Sequence, residues 1–150
     1  MAADEASPGV SRSMQLINKR TGAAVASVIE LAVTRADRRR GLLGRDALDL
    51  SAGMMLAPCV SVHTAFMRFP IDVVFVDREG VVRKIVRDLK PWRIAASPRA
   101  YAAVELAAGV ERDVVPGDRL VLAGAVPGGQ AGEASSALEA ALCAAPLLRS

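Results

Sequence analysis

One segment of the chain carries the residue types that best suit chemistry, placed just before and inside an apolar run. The segment holds an imidazole, a hydroxyl, a guanidinium and a carboxylate, which belong to His63, Thr64, Arg68 and Asp72. Histidine ordinarily titrates near neutral pH, and a guanidinium can hold a carboxylate or phosphate. We therefore expect these four side chains, with Glu105, to contact a ligand. For His63, the alternative is a hydrogen-bonded histidine beside Phe66 and Phe69.

Asp72 is the most informative carboxylate, because it interrupts the otherwise apolar residues 71 to 76. A buried carboxylate is costly unless it is paired or hydrogen-bonded. Arg68, Arg38 or Arg45 is the expected partner. Two interpretations stay open, a structural ion pair and a role as a ligand contact or general base.

A thiol and an imidazole stand four residues apart at Cys59 and His63, and this spacing invites comparison with activated cysteine nucleophiles. The residues between them are rich in β-branched types, which favour a strand. In an extended segment the two side chains lie about 13 Å apart at roughly 3.3 Å per residue. We therefore expect a buried structural cysteine rather than a catalytic dyad.

The sequence offers little for a metal or a cofactor. One His and two Cys, at Cys59 and Cys143, fall short of the closely spaced ligands that zinc requires. The carboxylates Asp72, Glu105 and Asp118 follow no known Mg²⁺ or Ca²⁺ loop. Neither a phosphate-binding Gly-rich loop with Lys nor a Gly-x-Ser-x-Gly elbow occurs. We expect no metal and no cofactor.

Aromatic and basic residues interleave in the centre of the chain, as they do in proteins that bind single strands. Residues 35 to 99 hold thirteen Arg or Lys against seven Asp or Glu. With three Phe, one Trp and one Tyr in the chain, we expect Phe66, Phe69 and Phe75 in the core. Trp92, beside Lys90 and Arg93, is the exposed candidate.

Length and composition predict one folded domain in a chain of 150 residues that is 52% hydrophobic. We expect a flexible leader at residues 1–13, a single globular domain at 14–124, and a linker with an Ala-rich tail at 125–150 that is either helical or disordered. Two distant cysteines indicate reduced thiols. Without a signal-peptide pattern or a spanning apolar run, we expect a cytoplasmic protein with no membrane association.

Hydrophobic periodicity predicts an α+β domain, mainly antiparallel, as a small barrel-like or sandwich-like unit with one or two short helices. About seven strands are expected: Met14 to Ile17, Ala23 to Val33, Val60 to Thr64, Ile71 to Val76, Val81 to Val86, Tyr101 to Leu106 and Leu120 to Ala123. Thr34 and Asp37 predict a capped helix that ends near Gly44. Residues 77–80 and 115–118 predict turns. The Phe69–Pro70 bond is expected to be trans, with a cis bond at a sharp corner as the alternative.

Several motifs together resemble an uncharacterised prokaryotic family, domain of unknown function 192. They include a Gly-Leu-Leu-Gly-Arg run from Gly41 to Arg45, a Gly-Met pair at Gly53, a Pro-x-Asp at Pro70 and a Glu-Leu-x-Ala-Gly from Glu105 to Gly109. Many members look like Trp-Met-Lys-Asn-Thr where this chain has His63 to Met67, so no role of that Lys-Asn pair carries over. The resemblance implies a fold without a biochemistry.

Three functional hypotheses follow. The first is a non-catalytic accessory domain whose small-molecule or protein partner contacts a common opening formed by His63, Thr64, Arg68, Asp72 and Glu105. The second is an enzyme that uses His63 or Asp72 as an acid or base on an anionic substrate oriented by Arg68, which requires these side chains to lie close together. The third is nucleic-acid binding through the central basic segment.

Overall fold

A computed structural model describes residues 14–124, so the predicted leader and tail lie outside the described residues. Nine strands and one helix form in this part of the chain. In chain order they are β1 (Met14–Asn18), β2 (Ala24–Ala32), α1 (Arg35–Arg40), β3 (Ala52–Leu56), β4 (Ser61–His63), β5 (Ile71–Val76), β6 (Val82–Leu89), β7 (Ile94–Ala96), β8 (Ala102–Ala107) and β9 (Leu120–Gly124).

Seven strands build one sheet in the order β6-β5-β8-β3-β2-β1-β9, and β4 pairs with β7 in a separate ribbon. Within the described residues, β2 and β3 run parallel and the other strand pairs run antiparallel. The sheet curls into a half-barrel, and its two ends meet where the Val82 amide donates to the Asp118 carbonyl at 2.8 Å. The predicted α+β, mainly antiparallel fold with very few helices is confirmed.

The core divides into two apolar clusters, one on each face of the sheet. One cluster includes Val74, Val104 and Leu122, and the other includes Val73 and Phe75. Strands β5 and β8 lie in the interior of the sheet and are buried at every position. A strand covered on both faces must be apolar on both, which is why Ile71–Val76 is nearly continuous in hydrophobic residues.

Helix α1 begins where the sequence predicts, because the Thr34 hydroxyl accepts the Asp37 amide at 3.0 Å. The prediction that it ends near Gly44 was wrong. The helix ends at Arg40, because Gly41 turns to a positive φ of 46° and its amide donates to the Asp37 carbonyl. No residue of α1 is buried. The helix therefore lies on the surface, and four of its six residues are arginines.

Two strands and one aromatic residue depart from the predictions. Strands β3, at the centre of the sheet, and β7 were not among the predicted strands. Phe66, expected in the core, is 73% exposed, whereas Phe75 is fully buried and Phe69 is half-buried. Phe66 is exposed because it stands in the tight connection after β4, with a φ of 64°.

The Phe69–Pro70 bond is trans, while the cis X–Pro bond of the described residues is Ala57–Pro58. No helix among residues 14–124 is long and apolar enough to cross a membrane.

Candidate functional site

A cavity of about 440 Å³ opens between α1 and the connection from β3 to β4. Its walls come from α1, from residues 41–43 and from residues 58–63, while β8 contributes Glu105. The α1 arginines Arg35, Arg38, Arg39 and Arg40 all line it. The volume falls in the range typical of small-molecule sites. The cavity thus combines a cationic wall with one buried acid.

Glu105 is the chemically unusual group in this cavity. Its residue is 4% exposed, and its Oε2 atom has no hydrogen-bond partner within the described residues. Strand β8 places it there because Glu105 stands opposite Val73 in β5 and Met54 in β3, so its side chain joins the face that carries Phe75. Burial raises the pKa of Glu105 to about 7, and the positive charge of Arg45 opposes this only in part.

The arginine wall is partly fixed and partly available. The Arg38 guanidinium donates to the carbonyls of Val33 and Ala57, which ties it to the end of β2 and the end of β3. Arg35, Arg39 and Arg40 are exposed, and none of them has a side-chain hydrogen bond or ion pair to residues 14–124. Guanidinium groups without a protein acceptor suit a carboxylate or a phosphate.

Cys59 and His63 line the same cavity, but they do not form a reactive dyad. The Cys59 Sγ donates to the Ser61 carbonyl at 3.0 Å, and burial raises the pKa of this thiol. A raised pKa keeps the sulfur protonated and weakly nucleophilic near neutral pH. His63 is exposed and lies at the end of β4, opposite Ile94 of β7.

Asp72 belongs to a different environment. Its Oδ1 accepts the Asp88 amide at 2.8 Å, and its Oδ2 lies 3.3 Å from the Arg112 guanidinium. Arg112 also donates to the Ala107 carbonyl at 2.9 Å. The predicted partners Arg68, Arg38 and Arg45 were wrong. Asp72 projects from the face of the sheet opposite to the one that carries Glu105, and there it meets Arg112 in the segment after β8.

Thr64 and Arg68 also lie outside the cavity lining. Thr64 is fully buried, and its hydroxyl donates to the Lys90 carbonyl at 2.6 Å and accepts the Arg93 amide at 2.8 Å. Arg68 is exposed and forms an ion pair with Asp46.

The prediction that all five residues line one opening was therefore wrong. The cavity unites His63 and Glu105, and Asp72 lines a separate surface depression with Arg87 and residues 109–112. His63 and Asp72 therefore do not line one site, as the enzyme hypothesis required.

Sequence reasoning missed the contribution of α1 to this site. A signal was present, because Arg38, Arg39 and Arg40 form a run that ends directly at Gly41. Arginines at a helix C-terminus are ordinarily explained by their favourable interaction with the helix dipole. That explanation does not consider that the same arginines can line a cavity. Among residues 14–124, no group of three or more His, Cys, Asp or Glu is placed to hold a metal ion.

Comparison with known proteins places the fold but names no activity. The family model DUF192, described as "Uncharacterized ACR", matches residues 16–122. No curated protein matches the chain. A crystal structure of a proposed transcription regulator from Sinorhizobium meliloti 1021 aligns with a TM-score of 0.64 at 27% identity, over 76% of this chain and 97% of that one.

A second similar structure is a protein of unknown function from Novosphingobium aromaticivorans DSM 12444. It aligns with a TM-score of 0.62 at 22% identity, over 72% of this chain and 82% of that one. At this identity the likeness shows the fold alone.

Proposed function

The chain belongs to the uncharacterised DUF192 family, and from that premise we propose that it is a small-molecule-binding domain whose ligand is an anion held in the cavity beside α1. One observation carries the proposal. Glu105 Oε2 is a buried carboxyl oxygen that has no hydrogen-bond partner among residues 14–124, and Glu105 lines a cavity walled by arginines. A buried polar atom left unpaired is costly, and a bound ligand is a common way to satisfy it.

Charge supports an anionic ligand. Arg35, Arg39 and Arg40 stand on one wall with no protein acceptor in the described chain, so their desolvation on binding is offset by a carboxylate or phosphate. The Glu105 carboxyl opposes this preference only when it is ionised. With a pKa of about 7 it is largely protonated in mildly acidic solution, where its O–H donates to a ligand oxygen.

His63 keeps its proposed role as a ligand contact, because it shares the cavity with Glu105. Thr64, Arg68 and Asp72 were proposed for the same role from the sequence. We now assign them to holding the structure, since each has its own protein partner. Support for binding without chemistry comes from Cys59, whose thiol is held in its unreactive form.

A second candidate function is acid–base catalysis in the same cavity, with Glu105 in the place first given to Asp72. A carboxyl group with a pKa near 7 is matched to proton transfer at neutral pH. This alternative predicts that a bound anion is slowly converted, so recovering the ligand unchanged after prolonged incubation with the protein counts against it.

A thermal-shift screen tests the binding proposal. Inorganic phosphate, phosphate monoesters and dicarboxylates are added to the full chain, and a compound that prefers the folded state raises the unfolding midpoint. We expect the shift to be lost in Arg39→Ala combined with Arg40→Ala, and kept in Arg99→Ala, an exposed arginine outside the cavity lining. If no anion shifts the midpoint, or if both variants respond like the parent chain, the proposal fails.

A further inference from the structure

Two aromatic side chains form an exposed pair on the side of the β4–β7 ribbon, separate from the cavity lining. The ring centroids of Phe66 and Trp92 lie 4.6 Å apart, with the ring planes inclined by 59°. Phe66 is 73% exposed and Trp92 is 59% exposed. Rings inclined at this angle do not cover each other face to face. Each ring therefore keeps accessible π surface.

The backbone holds both rings in a conformation that aromatic residues rarely adopt. Phe66 and Trp92 each have a φ of 64°, in the left-handed region that costs a residue with a Cβ atom free energy. Strain of this kind persists where the surroundings impose it, and it often marks a functional position. Three non-glycine residues of the described chain have a positive φ, and the third is Asp88 at 52°. Because the other two are the rings of one exposed pair, we interpret their strain as the cost of presenting them.

Buried Thr64 is the residue that imposes this geometry. Its carbonyl accepts both the Trp92 amide at 3.0 Å and the Met67 amide at 3.1 Å, so it fixes the two loops against each other. Its hydroxyl bonds to Lys90 and Arg93, on either side of Trp92. The platform is thus built by the interior of the protein, and it does not depend on solvent-exposed contacts.

Cations flank the rings. Lys90 and Arg93 are close to Trp92 in the chain, two residues before it and one residue after it, and both are exposed. Bare ring faces next to cations complement a polymer that alternates flat bases with phosphates. They match a neutral peptide less well.

We propose that the Phe66–Trp92 pair is a stacking platform for single-stranded nucleic acid, with Lys90 and Arg93 supplying cations for the adjacent phosphates. The site is independent of the anion cavity, since neither ring lines that cavity. It reads no sequence, because every base offers a π face to stack. Two of the five aromatic residues of the chain then serve binding instead of the core.

The experiment uses Trp92 as its own reporter, because it is the one tryptophan of the chain. A twelve-nucleotide oligothymidylate is titrated into the full chain, and stacking on Trp92 quenches its emission. Anisotropy of a labelled copy gives the affinity. If Lys90 and Arg93 each neutralise a phosphate, the logarithm of the affinity falls with the logarithm of salt concentration with a slope of about −1.4.

Phe66→Asn separates binding from folding. Asparagine tolerates a positive φ, so this variant should unfold at the same or a higher urea concentration than the parent chain. Its affinity for the oligonucleotide should fall by roughly 5- to 150-fold, the loss expected for one stacked base. Lys90→Ala combined with Arg93→Ala should weaken binding and flatten the salt slope. Lys19→Ala, a matched exposed lysine in the β1–β2 turn, should change neither.

Three outcomes would overturn the proposal. The first is unchanged Trp92 emission with the oligonucleotide. The second is quenching that survives Phe66→Asn and the double cation variant. The third is a blue shift with phosphatidylserine vesicles but no response to oligonucleotide, which would assign the rings to a lipid surface.

Discussion

Asp72 and Glu105 are buried carboxylates one register step apart on neighbouring strands, yet they project from opposite faces of the sheet. Asp72 stands opposite Leu106, and Glu105 stands opposite Val73. Side chains directly opposite each other share a face, and adjacent positions along a strand alternate. Asp72 therefore meets Arg112, whereas Glu105 meets the arginine-walled cavity. A difference of one position along the strands thus places Asp72 in an ion pair and leaves Glu105 Oε2 without a hydrogen-bond partner among the described residues.

The Asp72–Arg112 pair predicts strong coupling between two buried charges. Both side chains are 7% exposed, so removing the carboxylate in Asp72→Ala leaves a buried guanidinium without its counter-charge. We expect a loss of about 3–5 kcal/mol in the free energy of unfolding by urea. A double-mutant cycle with Arg112→Ala checks the origin of the loss. Effects of the two changes that add within about 0.5 kcal/mol would show that the pair is not coupled.

Thr64 predicts a loss that depends on its hydroxyl and not on its shape. Thr64→Val keeps the volume but leaves the Lys90 carbonyl and the Arg93 amide without their partner. We expect the free energy of unfolding to fall by about 1–3 kcal/mol, and the near-ultraviolet circular dichroism of Trp92 to weaken as its loop loosens. Thr64→Ser, which retains the hydroxyl, is the control. Equal losses in both variants would contradict this account.

Local features were predictable from the sequence where one short-range rule decides them. The strand Ile71–Val76 forms over the predicted residues, because a continuous apolar run of this length has few alternatives. The Thr34 cap depends on a neighbour three residues away. The predicted turn at residues 77–80 forms with the Gly80 amide donating to the Asp77 carbonyl at 3.0 Å.

Long-range pairing could not be predicted in the same way. Asp72 and Arg112 are forty residues apart, and the chain offers nineteen Lys and Arg as possible partners. Glu105 was a candidate contact, but the absence of a partner for its Oε2 atom among the described residues depends on which face of β8 the side chain occupies. The prediction that Phe66 lies in the core failed for a different reason. The general preference of aromatic rings for the core is overruled where the backbone turns through a positive φ.

Close packing explains why the Gly-Met motif has a glycine at Gly53. A Cβ atom there would lie 2.7 Å from Leu106 Cδ2, 2.9 Å from Ile29 Cδ1 and 3.0 Å from the Glu105 carbonyl oxygen, so the backbone of β8 itself would have to move. We expect Gly53→Ala to lower the free energy of unfolding by about 1–3 kcal/mol, as overpacking does. Gly124→Ala, where a Cβ meets nothing within 4 Å, is the control. A Gly53→Ala chain as stable as this control would exclude the close contact.

The pKa of Glu105 determines how stability changes with pH. The value rises from 4.5 to about 7 on folding because burial disfavours the charged form. Below pH 4.5 the group is protonated in both the folded and the unfolded chain, so it costs nothing. Between pH 4.5 and 7 the unfolded chain releases the proton more readily, which favours unfolding. Above pH 7 the cost is constant and on the order of 3 kcal/mol.

Glu105→Gln removes this cost while keeping the size of the side chain. We expect the variant and the parent chain to have similar free energies of unfolding at pH 4. The variant should become more stable as the pH rises, with an advantage on the order of 3 kcal/mol above pH 7. Urea unfolding at closely spaced pH values measures the difference, in which the titration of all other groups cancels. A difference that is independent of pH would mean that folding leaves the pKa of Glu105 unchanged, and one that favours the parent chain at pH 8 would mean that Glu105 is ionised and paired in the folded protein.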